Sequence, residues 1–284
     1  MKATDLYSQL EKDFVKPGMV EDWFNDMGDI EAYICDNFKN RSIGLICDFT
    51  DEVNKVYTAV FPSNRVLTRV LDDNVTNAMI FLPHPADWDL SKDPNTAFYQ
   101  MNTALLEQLK ERRISLFNFH YPLDNYGEYS NSKTLAEALD IIIEKPFAGF
   151  SGALCGVIGT TNCKDVYELN NKYSQVVGHK TKLYQYGDSN VTNNRVAIVA
   201  GGGNDSDVVN EVIKNGVNVL ISGLSLCNSY SLNAHELEKA HKINLLGGTH
   251  YSSEKFGCIA MCEYFNKLGL PSEFIHDVPC LDDL

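Results

Sequence analysis

The chain is short of several features that mark whole classes of protein. Its eight cysteines (35, 47, 155, 163, 227, 258, 262 and 280) contain no Cys-x-x-Cys pair and no framework spacing. That excludes a zinc-ribbon or thioredoxin-type motif and argues against a disulfide scaffold. Most lie in apolar runs such as Ser42–Cys47, so they read as reduced core residues of a cytoplasmic protein. No run approaches the ~18 apolar residues of a membrane span. Residues 1–14 are polar and charged, so no leader with an apolar core is expected. Basic residues are scarce: 24 Lys and Arg stand against 38 Asp and Glu, a formal net charge of −14. Nucleic acid and anionic membrane surfaces are therefore poor partners, because both call for clustered Lys and Arg. Nucleotide and nucleophile signatures are missing as well: there is no GxxxxGK[ST] and no GxSxG.

What is present is an ordinary core-forming composition, 44% hydrophobic over 284 residues, enough for one large or two small domains. Apolar strand-like runs occur at 55–61, 78–82, 114–119, 195–200, 218–221 and 243–246. Helix-like segments lie between them at 65–72, 95–113, 132–144, 206–215 and 233–241. Such alternation predicts an α/β fold with mainly parallel or mixed sheets flanked by helices. The middle, rich in Gly, Ser, Thr and Asn, reads as a connecting region with one or two strands (152–159) and a helix over 163–173. The expected organisation is an N-terminal α/β half (1–145), the connecting region (146–194) and a C-terminal α/β half (195–284). Together they would form one compact unit with the site between the halves.

Three strand ends carry histidine. Ala78–Leu82 runs into Pro83-His84-Pro85. Ile114–Phe119 runs into His120, with Asp124 four residues on. Ile243–Leu246 runs through Gly247-Gly248 into His250, with Glu254 four residues on. Open α/β sheets bind ligands beyond the carboxyl ends of their strands. At i and i+4 on a helix, an imidazole and a carboxylate are neighbours able to share one cation. This donor mixture suits Zn, Fe(II), Mn or Ni and is too nitrogen-rich for a Ca or Mg cage. Singly, each feature has a plainer reading. A histidine after a strand is commonly a hydrogen-bonded loop residue, and an i,i+4 His/Glu pair is commonly a surface pair. The recurrence at three strand ends points to metal. The other four histidines (179, 235, 241 and 276) fall in loops or a polar helical segment and read as solvated. The turn Gly201-Gly202-Gly203-Asn204-Asp205-Ser206 lacks the last glycine of GxGxxG. It reads either as an anion cradle or as a tight turn with Asp205 or Ser206 capping a helix. Glycines 247 and 248 read as the means of turning sharply off a strand.

These motifs resemble the Nif-three-like family of dinuclear metal-centre proteins, whose members are often called type-two GTP cyclohydrolase homologues. The matching segments are Pro83-His84-Pro85, His120-x-x-x-Asp124 and Thr249-His250-Tyr251-x-x-Glu254, in family order across nearly the whole chain. The resemblance implies a two-half α/β fold, commonly a toroidal homohexamer, and two divalent metals facing a central cavity. It makes His84, Asp124 and Glu254 ligands of one metal, and His250 with a bridging Glu254 part of the other. His120 becomes a ligand or a histidine beside the site, and as an imidazole it is the candidate catalytic residue for proton transfer. The chain departs from the family at Pro83, where the first of two histidines should stand. A proline side chain cannot ligate, so the second metal loses an imidazole unless Asp87 or Asp89 replaces it. The family's Gly-Glu pair also reads Gly223-Leu224 here. The function implied is a metal-dependent hydrolase of a small nucleotide-like or phosphoester substrate. The alternative is a non-enzymatic metal-binding oligomeric scaffold or regulatory protein.

Overall fold

The computed structural model describes residues 1–93 and 97–284. In chain order the first elements are α1 (Ala3–Phe14), α2 (Asp36–Arg41), β1 (Gly44–Cys47), β2 (Lys55–Thr58), α3 (Asn64–Asp72), β3 (Ala78–Leu82), β4 (Asp87–Trp88), β5 (Phe98–Tyr99), α4 (Thr103–Glu111), β6 (Ile114–Asn118) and α5 (Tyr121–Asp124). Then follow α6 (Asn131–Ala138), β7 (Ile142–Phe150), β8 (Ala153–Thr160), α7 (Val166–Val177), β9 (Lys182–Tyr184), β10 (Arg195–Val199), α8 (Ser206–Lys214), β11 (Val219–Ser222), α9 (Leu232–His241), β12 (Asn244–Gly247), α10 (His250–Lys267) and β13 (Ser272–Phe274).

The chain forms two compact units. One comprises residues 1–89, 97–123 and 258–278, and the other is built mainly from 124–257 with 279–284. The expected halves follow chain order, whereas these units do not: the end of α10 and β13 return to the first unit.

The first unit carries a five-stranded sheet in the order β1-β6-β3-β2-β13, parallel throughout except for β1 against β6. Strand β3 is buried at every position, as expected of a central parallel strand flanked on both faces. Helix α3 starts at Ser63, whose hydroxyl accepts from the Val66 N–H at 3.1 Å, and buries Val66, Leu67 and Val70. Helix α1, which its polar composition hid, buries the narrow stripe Ala3, Leu6 and Leu10.

The second unit carries a six-stranded sheet, β7-β8-β10-β11-β12-β9. Strands β10, β11 and β12 are parallel, and the outer pairings are antiparallel. Two segments differ from expectation. The helix predicted over 132–144 stops at Ala138, Asp140 turns left-handed at φ 52°, and the β-branched run at 141–143 feeds strand β7 instead. The helix predicted over 95–113 begins at Thr103, with the Asn102 side chain accepting from Ala104 N–H at 2.9 Å. Positions 95 and 96 of that prediction lie outside the described residues. The cysteines are free thiols, but only Cys47, Cys163 and Cys258 are buried, and Cys227 is exposed. No helix among the described residues is long and apolar enough to cross a membrane.

Candidate metal centre

In the first unit, parallel pairing sets Leu82 opposite Asn118, so β3 and β6 end level with each other. Asn118, for which the sequence offered no role, secures the loop beyond β3. Its Nδ2 donates to the Pro83 carbonyl at 2.6 Å and to the Leu82 carbonyl at 3.3 Å. The loop then delivers His84 into full burial. Its ring stacks on Phe61 at 4.7 Å and meets the edge of Trp23 at 5.9 Å. His120 leaves the end of β6 and lies with its ring 4.9 Å from that of His84. The parallel sheet thus brings together two of the predicted histidines within an aromatic wall. Asp87 sits in the small β4–β5 pair, where its carboxylate accepts the Trp88 N–H at 2.9 Å.

In the second unit, β12 ends at Gly247 and α10 begins at His250. Thr249 is the N-cap: its hydroxyl oxygen accepts from the Ser252 N–H at 3.1 Å. The His250 N–H donates to an Asp283 carboxylate oxygen at 2.7 Å. One turn on, Glu254 comes back over His250, with Nε2 and Oε1 3.1 Å apart and both residues buried. Two donors each ~2.1 Å from a cation stand ~3.0–3.4 Å apart at octahedral to tetrahedral angles. The observed separation falls in that interval. Asp124 closes α5, and its Oδ1 accepts from Asn131 Nδ2 at 2.8 Å.

One glycine of the 201–203 turn serves this pair. Gly201 has φ +70°, and a Cβ there would lie 2.1 Å from Glu254 Oε1 and 3.0 Å from His250 Nε2. Only a glycine leaves the carboxylate and imidazole their space, and the Ser253 hydroxyl oxygen accepts the Gly201 N–H at 2.8 Å. The cap of α8 is Asp205, accepting from Asp207 and Val208 N–H groups at 2.8 and 3.0 Å. Glycines 247 and 248 are required for close approach, not for a left-handed turn. A Cβ on the first would strike Ser225 Oγ at 1.8 Å, and on the second Tyr173 Oη at 2.4 Å.

Two histidines expected in solvent are not there. His235 is fully buried, with Tyr186 Oη 2.9 Å from its Nδ1 and Glu238 Oε2 at 3.4 Å. His179 is half-buried, its Nε2 2.7 Å from Ser252 Oγ, and desolvation pulls its pKa down. Sequence reading also passed over Glu21, a buried carboxylate that reaches His120. It lies 99 positions from that histidine in a segment without periodicity, so nothing local announced it.

Fold and donors define a class: an α/β protein with two mixed sheets and buried imidazole and carboxylate groups where strands end. The chain belongs to the Duf34/NIF3 (NGG1p interacting factor 3) family, which it matches over residues 30–278. It is 26% identical over 245 residues to a GTP cyclohydrolase 1 type 2 homolog of Borreliella burgdorferi, covering 85% of this chain and 89% of that one. A homolog of the same name from Archaeoglobus fulgidus is 28% identical over 176 residues, 61% of this chain and 66% of the relative. Among solved structures, protein ybgI, of unknown function, superposes with TM-score 0.74 at 21% identity over 98% of this chain and all of that one. Reduced HcgD from Methanocaldococcus jannaschii gives TM-score 0.67 at 22% identity over 98% of each chain. At these identities the two structures speak for the fold.

Proposed function

We propose that the chain is a divalent-metal protein in which His84, Asp124, His250 and Glu254 supply ligands, with His120 a further ligand or a proton carrier. The observation that carries this reading is the buried His250–Glu254 pair beside a glycine whose missing side chain keeps the space around both groups clear. His84, His250 and Glu254, two imidazoles and a carboxylate, are a donor set suited to one cation. Zn, Fe, Mn or Ni fits those donors, at one or two per chain.

The activity we assign is hydrolysis of a small nucleotide-like or phosphoester substrate, in keeping with the name of the curated relatives. A divalent cation supplies Lewis-acid polarisation of a scissile group. In this reading His120 moves the proton, an imidazole being the side chain whose ordinary pKa lies nearest neutrality. The rings of Trp23 and His84 lie against it, at 5.2 and 4.9 Å. The working form is a cytoplasmic homo-oligomer, a hexamer by family resemblance, and the acidic balance sets it against nucleic acid.

One feature favours a second reading, a metal-binding scaffold or regulatory protein. Pro83 stands where the family has a histidine, so one imidazole of a two-metal site is lost. Elemental analysis of protein purified without chelator or affinity metal, for wild type and Pro83→His, separates the cases. About two metals per wild-type chain supports the dinuclear hydrolase. About one, rising to two in Pro83→His, supports a mononuclear descendant. None in either sinks the metal reading. Metal-loaded protein is then screened against nucleotides and phosphoesters. Turnover lost in Glu254→Ala supports the enzyme, and a blank screen supports the scaffold.

A further inference from the structure

His120 is not placed by its own strand alone. Glu21, far from it in sequence, has a side chain only 2% exposed, and three nitrogens converge on its carboxylate. Oε1 accepts the backbone N–H of Tyr121 at 3.0 Å. Oε2 accepts the indole N–H of Trp23 at 2.7 Å and lies 2.7 Å from His120 Nδ1. The Glu21 backbone is itself anchored, donating to the Arg41 carbonyl at 2.9 Å. The Trp23 indole then turns its ring edge-on to His120, with centroids 5.2 Å apart and planes at 77°.

We propose that Glu21 is the positioning residue of His120, holding the imidazole in the tautomer that carries its proton on Nδ1 and its lone pair on Nε2. An indole N–H and a backbone N–H have no acceptor form, so both carboxylate oxygens already act as acceptors. A carboxylate gripped by two N–H donors has only acceptor lone pairs to offer, so the third partner is the donor and Nδ1 is the protonated nitrogen. Nε2 then carries the lone pair, through which an imidazole accepts a proton or binds a cation. A carboxylate behind the distal nitrogen also raises the basicity of the other and fixes the ring plane. The same carboxylate holds the first N–H of α5, so the imidazole and the helix leading to Asp124 share one anchor. The role of Glu21 for a bound cation rests on the metal reading above; its control of the tautomer does not.

The test is long-range proton–nitrogen NMR on the full chain labelled with nitrogen-15 histidine, at a pH where the ring is neutral. His120→Asn assigns the signal. Wild type is expected to show His120 with protonated Nδ1 and unprotonated Nε2. Trp23→Phe, which keeps the carboxylate, is expected to leave this unchanged. Glu21→Ala is expected to turn it into a mixture or into the Nε2-protonated form. Zn or Mn affinity by chelator competition is measured on the same samples, and Glu21→Ala is expected to lower it ~10–100-fold. A wild-type ring protonated on Nε2 overturns the proposal, and this result needs no variant to fold. A folded Glu21→Ala with an unchanged tautomer overturns it too, whatever the affinity does. The expected tautomers with no metal bound by wild type uphold the role of Glu21 and overturn the metal reading instead.

Discussion

Two buried histidine–glutamate pairs lie in the second unit, on successive helices. His250 and Glu254 are i,i+4 on α10 and 3.1 Å apart; His235 and Glu238 are i,i+3 on α9 and 3.4 Å apart. Residue types, helical proximity and burial are shared. The surroundings differ. His250 opens its helix directly beyond β12, and Gly201 leaves room beside the pair. His235 sits within α9, with its Nε2 3.1 Å from the Ser225 carbonyl. There burial decides protonation: it pushes the Glu238 carboxyl up to about 8 and pulls the His235 imidazole down. At neutral pH that pair is held uncharged, a polar patch within the core. A buried His–Glu pair is thus no site by itself; the strand end and the space cleared beside it make the first pair a candidate.

The comparison breaks most sharply on metal content. Glu254→Ala is expected to remove bound metal to background in elemental analysis, a larger loss than the ~10–100-fold typical of outer-shell substitutions. Glu238→Gln is expected to leave it unchanged. Equal losses in both would erase the distinction.

The second effect is on pH-dependent stability. Glu238 is neutral when folded over a pH range where the unfolded chain is already ionised, so the native state binds the extra proton. Its contribution is fully present below the ordinary value of 4.5 and is lost as the pH rises through about 8. Glu238→Gln is expected to flatten the fall of the urea midpoint between pH 5 and pH 9, gaining on the order of 3 kcal/mol over wild type at the alkaline end. Parallel midpoint curves for the two proteins would mean the carboxyl is not desolvated.

Next in size is Gly201→Ala. The left-handed backbone costs about 1–2 kcal/mol with a side chain present, and the added methyl displaces Glu254. Lower stability together with weaker metal binding is expected, whereas stability loss alone would show that the pair does not need that space. The smallest effect is at the neighbouring cap. Asp205→Ala is expected to cost about 1 kcal/mol in thermal or urea unfolding, with metal content unchanged, because the anion held by the first N–H groups of α8 is the Asp205 carboxylate itself.

Much of the fold was legible because burial leaves a periodic record. Central strands β3, β6, β10, β11 and β12 are mostly apolar runs and fall within one residue of their expected bounds. Helices α3, α8 and α9 carry ordinary helical spacing. What escaped was short, polar or at an edge: α1 with its narrow apolar stripe, β7 read as the tail of a helix, and the two-residue strands β4 and β5. The donors were legible for a related reason, since parallel strands end where α/β sheets present their ligands, and histidine there stands out.

The sequence by itself determined the α/β class, the order of the central strands' segments and the placement of His84, His120, Asp124, His250 and Glu254 after strand ends. Each of those depends on neighbours a few positions away. Only the tertiary structure decided that His235 is buried, that Gly201 makes room for Glu254, that Asn118 ties down the Pro83 loop, and that Glu21 holds His120. The last three relations join residues 35 to 99 positions apart, the first depends on what packs over a helix face, and no local pattern records a contact that chain folding has yet to make.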